Sequence, residues 1–427
     1  MSILKVIHLN TYAGNGGAGR ACLRLNKALI DQGIDSQIWV NFSFEENNQV
    51  SNFSTGFFRK WITAAGIILE GLISKVFTKR LRIPFSIPIW GRDVSNHAAL
   101  KQADIIHIHW INHAFLRPRD LAKLARLDKP IVWTFHDVNA CTGGCHYTLS
   151  CTHYQQECGN CPVLKWSNDQ DWSRWTWQTK YQAYQHLNFQ IIAPSKWMAD
   201  FVRSSKLLSS RMVQVIPNTL DMTIFKPTSK EEAKKSLGIT PNQFVLISGS
   251  MPSRQDLYKG ASYLLEAIPI FVKQFAINPE QIELLIFGNR DQKSVPDFGI
   301  KTTFLGTISD DMQLALCYSA ADVFLIPSIE DNLPNTVMES LACGTPVVAF
   351  TTGGIPDMVL HQQNGYLAAY KSSNSFAAGI NWIYQHPQRE KLNIDARRTV
   401  EDLFSEALIA KKHKLFYQQV LDQHVSA

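Results

Sequence analysis

"PSIEDNLPNTVMESLACGTPVVAF", Pro327 to Phe350, compresses a strand end, an acidic loop, a helix and a second strand into 24 residues. The apolar runs at its two ends predict strands. Asn335, after Pro334, predicts the helix start with Asn335 as N-cap, and Gly344 after Cys343 supplies the left-handed residue that ends the helix. Loop amides and the helix start at Asn335 and Thr336 would then point at an anion such as a diphosphate. Glu339 falls in the first or second turn and faces the same crevice, where a carboxylate accepts two hydrogen bonds from vicinal hydroxyls, as on a ribose. Asp331, eight positions earlier, reaches hydroxyls of a second ring. A capped surface helix with solvated carboxylates explains each residue singly but not their arrival together.

The same alternation runs outward in both directions. "QFVLISGS", "IELLIFG", "KTTFLG" and "DVFLIPS" predict strands in the second half. "LKVIHLN", "SQIWV", "ADIIHIHW", "KPIVWTF", "FQIIAPS" and "MVQVIP" predict them in the first, with helical segments between. Strands alternating with crossover helices imply parallel sheets covered on both faces. The pattern breaks at "PNTLDMTIFKPTSKEE", Pro217 to Glu232, a linker candidate. The expectation is an α/β protein of two doubly wound, Rossmann-like domains, 1–218 and 219–405, facing a central cleft, with 406–427 a C-terminal helix packing back on the first.

Ligands of open α/β sheets bind outside the carboxyl ends of the strands. Arg254 and Lys259 follow the first strand of the second half, and either would neutralise phosphate charge. "TTGGIPDMV", from Thr351, adds a glycine turn. In the first half, "GNGGAGR" (Gly14–Arg20) follows the first strand, so Gly16 and Gly17 let backbone approach a ligand; a tight turn is the plainer reading. His109 ends "HIHW", and His136 and Asp137 end "WTFHD". An imidazole there binds a sugar hydroxyl or shifts a proton, or is merely structural.

Of 427 residues, 45% are hydrophobic and 18% charged, a globular composition with material for two cores. The net charge of +6 suits phosphate or anionic lipid, and no block of like charges points to nucleic acid. The amino-terminal apolar run is broken by Lys5 and His8, unlike a secretory leader, so a cytoplasmic location with reduced thiols is expected. Thr55 to Arg80 is apolar but interrupted by Glu70 and Lys75. It suits an interfacial helix pair dipping into an anionic leaflet, peripheral on the inner face of the membrane, rather than a span; packing on the domain or lining an acceptor groove are the alternatives. Five of eight cysteines crowd 141–161. Cys145, Cys151, Cys158 and Cys161, spaced C-x5-C-x6-C-x2-C, leave three readings open: a structural zinc, with His146 or His153 able to replace a thiolate, buried free thiols, or a disulfide or redox role.

With these residues in view, the chain resembles a retaining glycosyltransferase of the two-Rossmann (GT-B) kind, family four. "PSIEDNLPNTVMESLACGTPVVA" is similar to that family's Glu-x7-Glu signature, "VIPNTLDMTIFKP" (with Asn218) to its interdomain stretch, and "HQQNGYL" to a later turn. "NGGAGRACLRLNKAL" is similar to its glycine-rich loop, and "DIIHIHW" and "WTFHD" to its histidine-bearing strands. The resemblance implies that Glu339 holds the nucleotide ribose, Asp331 the donor sugar and Lys259 the diphosphate. It also implies that Gly16 and Gly17 approach donor or acceptor and that His136 contacts the transferred sugar, with His109, Asp137 and Asn218 nearby. Two departures stand out: the first acid of the signature is Asp331, one methylene short, and the usual arginine is Ser250, leaving either Arg254 as its replacement or Lys259 alone to meet the phosphate. Such enzymes need no metal cofactor for catalysis; the nucleoside diphosphate leaves on the face the acceptor attacks, and closure over the linker excludes water. Some polysaccharide-assembly members carry a similar cysteine segment. The resemblance therefore implies transfer from a nucleoside-diphosphate sugar to a lipid-linked or growing saccharide in cell-surface polysaccharide synthesis. A nucleotide-sugar epimerase of the same architecture and a non-catalytic membrane scaffold are the rivals.

Overall fold

The computed structural model describes residues 3–14, 16–43, 50–79, 83–249, 257–288 and 297–426. The chain divides into two compact units, Met1–Thr219 with Glu406–Ala427, and Leu220–Ser405.

The first unit is built on one seven-stranded sheet. Its strands are β1 (Lys5–Asn10), β2 (Asp35–Val40), β3 (Val50–Asn52), β4 (Ile105–Ile108), β5 (Ile131–Thr134), β6 (Gln190–Ala193) and β7 (Val213–Val215), in the order β3-β2-β1-β4-β5-β6-β7. Every pairing is parallel. The second unit carries β8 (Phe244–Ser248), β9 (Ile282–Phe287), β10 (Lys301–Gly306), β11 (Val323–Ile326), β12 (Val347–Phe350) and β13 (Gly365–Ala368), in the order β10-β9-β8-β11-β12-β13. These pairings are parallel too.

Short unbroken apolar runs make this possible. β4, β5, β11 and β12 are buried at every position, as parallel strands covered on both faces must be. In each sheet the strand order reverses once, between β1 and β4 and between β8 and β11. Those reversals leave crevices at the carboxyl ends of the strands, where the chemistry is expected.

Two strands, β3 and β13, were not predicted. β3 has three residues, and β13 follows directly on the "HQQNG" turn. Where an interfacial helix pair was expected, one 21-residue helix, Phe57–Phe77, runs through. Nothing in it forces a break: Gly66 sits where the Trp90 ring packs so closely that a Cβ would come within 2.8 Å of it. The helix Glu406–Val425 joins the first unit's core through Ile409, Ala410, Phe416, Tyr417 and Val420.

Candidate active site

In the second unit the loop after β11 is pinned from two sides. The Ile329 amide donates to the Tyr258 carbonyl at 2.9 Å, Thr352 Oγ1 donates to the Ile329 carbonyl at 2.9 Å, and the Gly354 amide donates to the Asp331 carbonyl at 3.0 Å. Two glycines permit this approach. A Cβ on Gly260 would lie 1.9 Å from the Pro327 carbonyl oxygen, and one on Gly353 would lie 1.8 Å from that of Asp331; both have left-handed φ, +65° and +55°. Segments 258–260, 327–331 and 351–354 are thus gathered at the ends of β8, β11 and β12. The clamp sets Lys259 Nζ 3.3 Å from Asp331 Oδ2.

The helix Asn335–Ala342 starts from this loop. Pro334, not the predicted Asn335, is its N-cap: Pro334 has extended ψ, its carbonyl accepts the Val337 amide, and no side chain caps the end. Asn335 is the first helical residue, followed by Thr336. Glu339, in the second turn, is 1% exposed. At the far end Gly344 takes φ +76° and the Thr345 amide returns to the Ser340 carbonyl at 3.0 Å, a left-handed cap. Arg254 and Ser250 lie outside the described residues.

In the first unit the helix Gly16–Asp31 begins at the end of β1, with Gly16 at φ +74° and Gly17 on the surface. His109 and His136 stand at the ends of β4 and β5, with Nδ1 of His109 2.9 Å from Nε2 of His136. Asn218, His109 and His136 line one small cavity with His413. Burial holds His136 down to about 4, against the opposing pull of Asp137, so its ring is neutral at pH 7. Asp137 binds protein on both oxygens. Oδ2 accepts from Trp110 Nε1 at 2.8 Å and lies 2.7 Å from His146 Nδ1, and Oδ1 accepts the Asn139 amide at 2.8 Å. Burial would raise this carboxyl, but His146 and these hydrogen bonds hold it below the usual carboxylate range.

One residue on the helix Phe57–Phe77 was misread. Glu70, taken as a charge interrupting an apolar run, is 5% exposed and its Oε2 accepts the Ala114 amide at 2.6 Å. His113 and Ala114 both have left-handed φ (58° and 59°), so their successive amides cradle the carboxylate. Burial raises Glu70 to about 7. Tyr12 bonds His113 through its hydroxyl at 3.0 Å. The stripe Thr63–Gly66–Glu70–Ser74–Phe77, at helical spacing, was the available signal. The helix's other face exposes Phe57, Trp61, Ile68, Leu72 and Val76, with Arg59 and Lys75 also at the surface. Among the described residues no helix is long and apolar enough to cross a membrane.

Cys145, Cys151, Cys158 and Cys161 line one cavity with His153, and all eight cysteines are free thiols. Burial pushes Cys145 well up, Cys158 to about 12 and Cys161 to about 11. The Gly143 amide donates to Cys158 Sγ at 3.2 Å. Among the described residues, His8, His107 and His109 form a trio whose ligand atoms all lie within 4.8 Å of one another. His146 is engaged by Ser86 and Asp137, and His153 Nδ1 by the Gly159 carbonyl. The histidine trio is hydrogen-bonded throughout. Each of its six ring nitrogens has a partner: Ser36 and His109 for His8, Tyr417 and Thr134 for His107, His8 and His136 for His109.

Comparison with known proteins bears on the family and the fold. Residues 15–223 match the family described as Glycosyltransferase Family 4, and residues 242–386 the family described as Glycosyl transferases group 1. An uncharacterized glycosyltransferase of Methanocaldococcus jannaschii is 26% identical over 245 residues, 55% of this chain and 60% of its own length. A D-inositol 3-phosphate glycosyltransferase of Segniliparus rotundus is 29% identical over 188 residues, 42% of this chain and 40% of its own. The chain thus spans about half the length of these curated relatives. Among solved structures, sucrose-phosphate synthase from Thermosynechococcus elongatus superposes with a TM-score of 0.66 at 18% identity, covering 98% of this chain and 100% of that one. Anabaena HepE in complex with UDP and glucose gives 0.64 at 18% identity, covering 97% and 100%. The chain is related to glycosyltransferases and shares the GT-B class of fold.

Proposed function

We propose that this chain moves a sugar from a nucleoside-diphosphate sugar to a hydroxyl of a lipid-linked or growing saccharide, with retention, in cell-surface polysaccharide synthesis. The observation that carries this reading is the clamp after β11. Two glycines without room for a side chain hold an acidic loop against Lys259, directly ahead of a helix whose buried Glu339 lies one turn in. Lys259 neutralises charge on the departing diphosphate, where electrostatic demand is greatest. Its contact with Asp331 keeps the ammonium at the strand ends before donor arrives. Asn335 and Thr336 offer the start of a helix to phosphate, and Glu339 takes the ribose hydroxyls. Asp331 and His136 contact the transferred sugar, and the backbone at Gly16 and Gly17 approaches donor or acceptor. The UDP and glucose held by Anabaena HepE support a nucleotide-sugar donor. The similarity of Pro327–Ala349 to the Glu-x7-Glu signature supports retention.

The exposed apolar face of Phe57–Phe77, flanked by cations, supports docking on an anionic leaflet, where a lipid-linked acceptor would be found.

The test is a thermal-shift screen of UDP- and GDP-sugars. A donor at a hundred times its Kd stabilises by about 2.7 kcal/mol, roughly 5–10 °C for a unit of this size. Glu339→Ala is expected to abolish that shift while circular dichroism stays native, and an unchanged shift refutes the ribose role. The anomeric configuration of the product, read by NMR, decides retention. Conversion of the nucleotide sugar to its epimer with no acceptor present, and with no net release of nucleotide, would favour the epimerase.

A further inference from the structure

A line of polar side chains crosses the first sheet from its interior to His136. Asn26 stands on the helix Gly16–Asp31, Ser36 on β2, His8 on β1 and His109 just past β4; all four are buried. Ser36 Oγ lies 2.8 Å from Asn26 Oδ1 and 3.0 Å from His8 Nε2. His8 Nδ1 lies 2.9 Å from His109 Nε2, and His109 Nδ1 lies 2.9 Å from His136 Nε2.

The chemistry of each link fixes the next. Asn26 turns Oδ1 rather than Nδ2 toward Ser36, and in that orientation of the amide Ser36 gives its single proton to Asn26, since an amide oxygen only accepts. Ser36 Oγ then offers only lone pairs to His8, and His8 must carry its proton on Nε2. A neutral imidazole has one N–H, so His8 Nδ1 accepts from Nε2–H of His109, whose Nδ1 accepts from Nε2–H of His136. The condition that every ring is neutral holds. Burial drives His8 to about 3, His109 well below its ordinary value and His136 to about 4. His107 stands apart from the line, its two nitrogens taken by Tyr417 and Thr134.

We infer that Asn26, Ser36, His8 and His109 are positioning residues that fix His136 as the Nε2–H tautomer, making its Nδ1 an acceptor for a hydroxyl of the donor sugar. The inference rests on the proposed contact between His136 and that sugar. It also gives the buried polar residues a task that apolar ones of similar size could not perform. A merely space-filling histidine has no reason to prefer one tautomer.

The experiment is two-bond proton–nitrogen correlation NMR on the full chain labelled with 15N-histidine, which reports the protonated nitrogen of each neutral ring. The wild type is expected to show His136 protonated on Nε2, and Nδ1 protonation there overturns the inference without need of a variant. Ser36→Ala removes the acceptor for Nε2–H of His8. A buried donor left unpaired is costly, so the whole line is expected to reverse and His136 to become the Nδ1–H tautomer, three links from the mutation. Ser36→Thr, which keeps the hydroxyl, is expected to restore Nε2–H. With the reversal, turnover of the nucleotide sugar that gives the largest thermal shift is expected to fall tenfold or more. The thermal shift with the bare nucleoside diphosphate, which has no sugar, is expected to stay the same. A His136 tautomer unmoved by Ser36→Ala overturns the chain. A reversed tautomer with unchanged turnover leaves the chain standing and overturns the contact between His136 and the sugar.

Discussion

Gly353→Ala tests the clamp directly. Two costs enter. The first is backbone strain: φ is +55°, and an alanine there loses about 1–2 kcal/mol. The second is collision. The new Cβ would start 1.8 Å from the Asp331 carbonyl oxygen, and since real Cβ contacts essentially never fall below 3.0 Å, that carbonyl must retreat by about 1.2 Å (3.0 less 1.8). The retreat breaks the hydrogen bond from the Gly354 amide, about 1 kcal/mol more, and draws Asp331 away from Lys259. The sum is about 2–3 kcal/mol, or roughly 5–10 °C in the Tm of a unit this size. A displacement of about 1 Å at a reacting centre costs on the order of a hundredfold in rate. Gly238→Ala supplies the comparison within the same unit. Gly238 also has left-handed φ, +67°, but nothing lies within 4 Å of its would-be Cβ, so it carries the strain without the collision. Thermal melts of both variants, with and without the nucleoside diphosphate that best stabilises the wild type, followed by turnover of its sugar conjugate, complete the assay. Gly353→Ala is expected to lose ligand stabilisation and turnover, and Gly238→Ala to melt a few degrees lower with both intact. If the two behave alike, the close approach at Asp331 has no bearing on ligand binding.

Glu70 predicts a pH dependence of stability. Its folded-state pKa, raised to about 7 by burial, exceeds that of an unfolded glutamate, so the folded chain binds the proton more tightly and stability falls as pH rises from about 4.5 to about 7. The fall is on the order of 3 kcal/mol, and Glu70→Gln, which keeps an acceptor for the Ala114 amide, is expected to flatten it in denaturant titrations across that window; an identical slope in wild type and variant refutes the burial argument. Trp61→Ser with Leu72→Ser is expected to reduce cosedimentation with phosphatidylglycerol vesicles at least tenfold while melting as the wild type does, and undiminished sedimentation moves the lipid contact elsewhere.

The strands were legible because parallel strands buried on both faces are short unbroken apolar runs, and "IIHI", "IVWT", "VFLI" and "VVAF" have no other comfortable home. The cluster around Asp331 was legible in part. Its loop, helix and glycine turn are local in sequence, but the reason for Gly260 and Gly353 lies in carbonyls 67 and 22 residues away, at Pro327 and Asp331, which no local pattern reveals. Asn335 was taken as the cap because its side chain suits the task, whereas the extended ψ of Pro334 gives the position to the proline. His8 reads in the sequence only as a break in an apolar run, and Ser36 carries no signal at all, because pairing across β1, β2 and β4 is what makes them neighbours of His109. Glu70 looked like an interruption because hydropathy averages the two faces of a helix, and a carboxylate can face inward wherever backbone amides are waiting for it.

Glu406–Val425 belongs to the first unit, and residues 220–405 lie between that helix and the rest of the unit in the chain. During synthesis the ribosome therefore releases the whole second unit before Tyr417 can reach His107 and before Phe416 and Val420 can cover Val6 and Ile105. The nascent first sheet must wait with part of one face uncovered, while the later-made unit has all its strands at hand and is free to fold ahead of it.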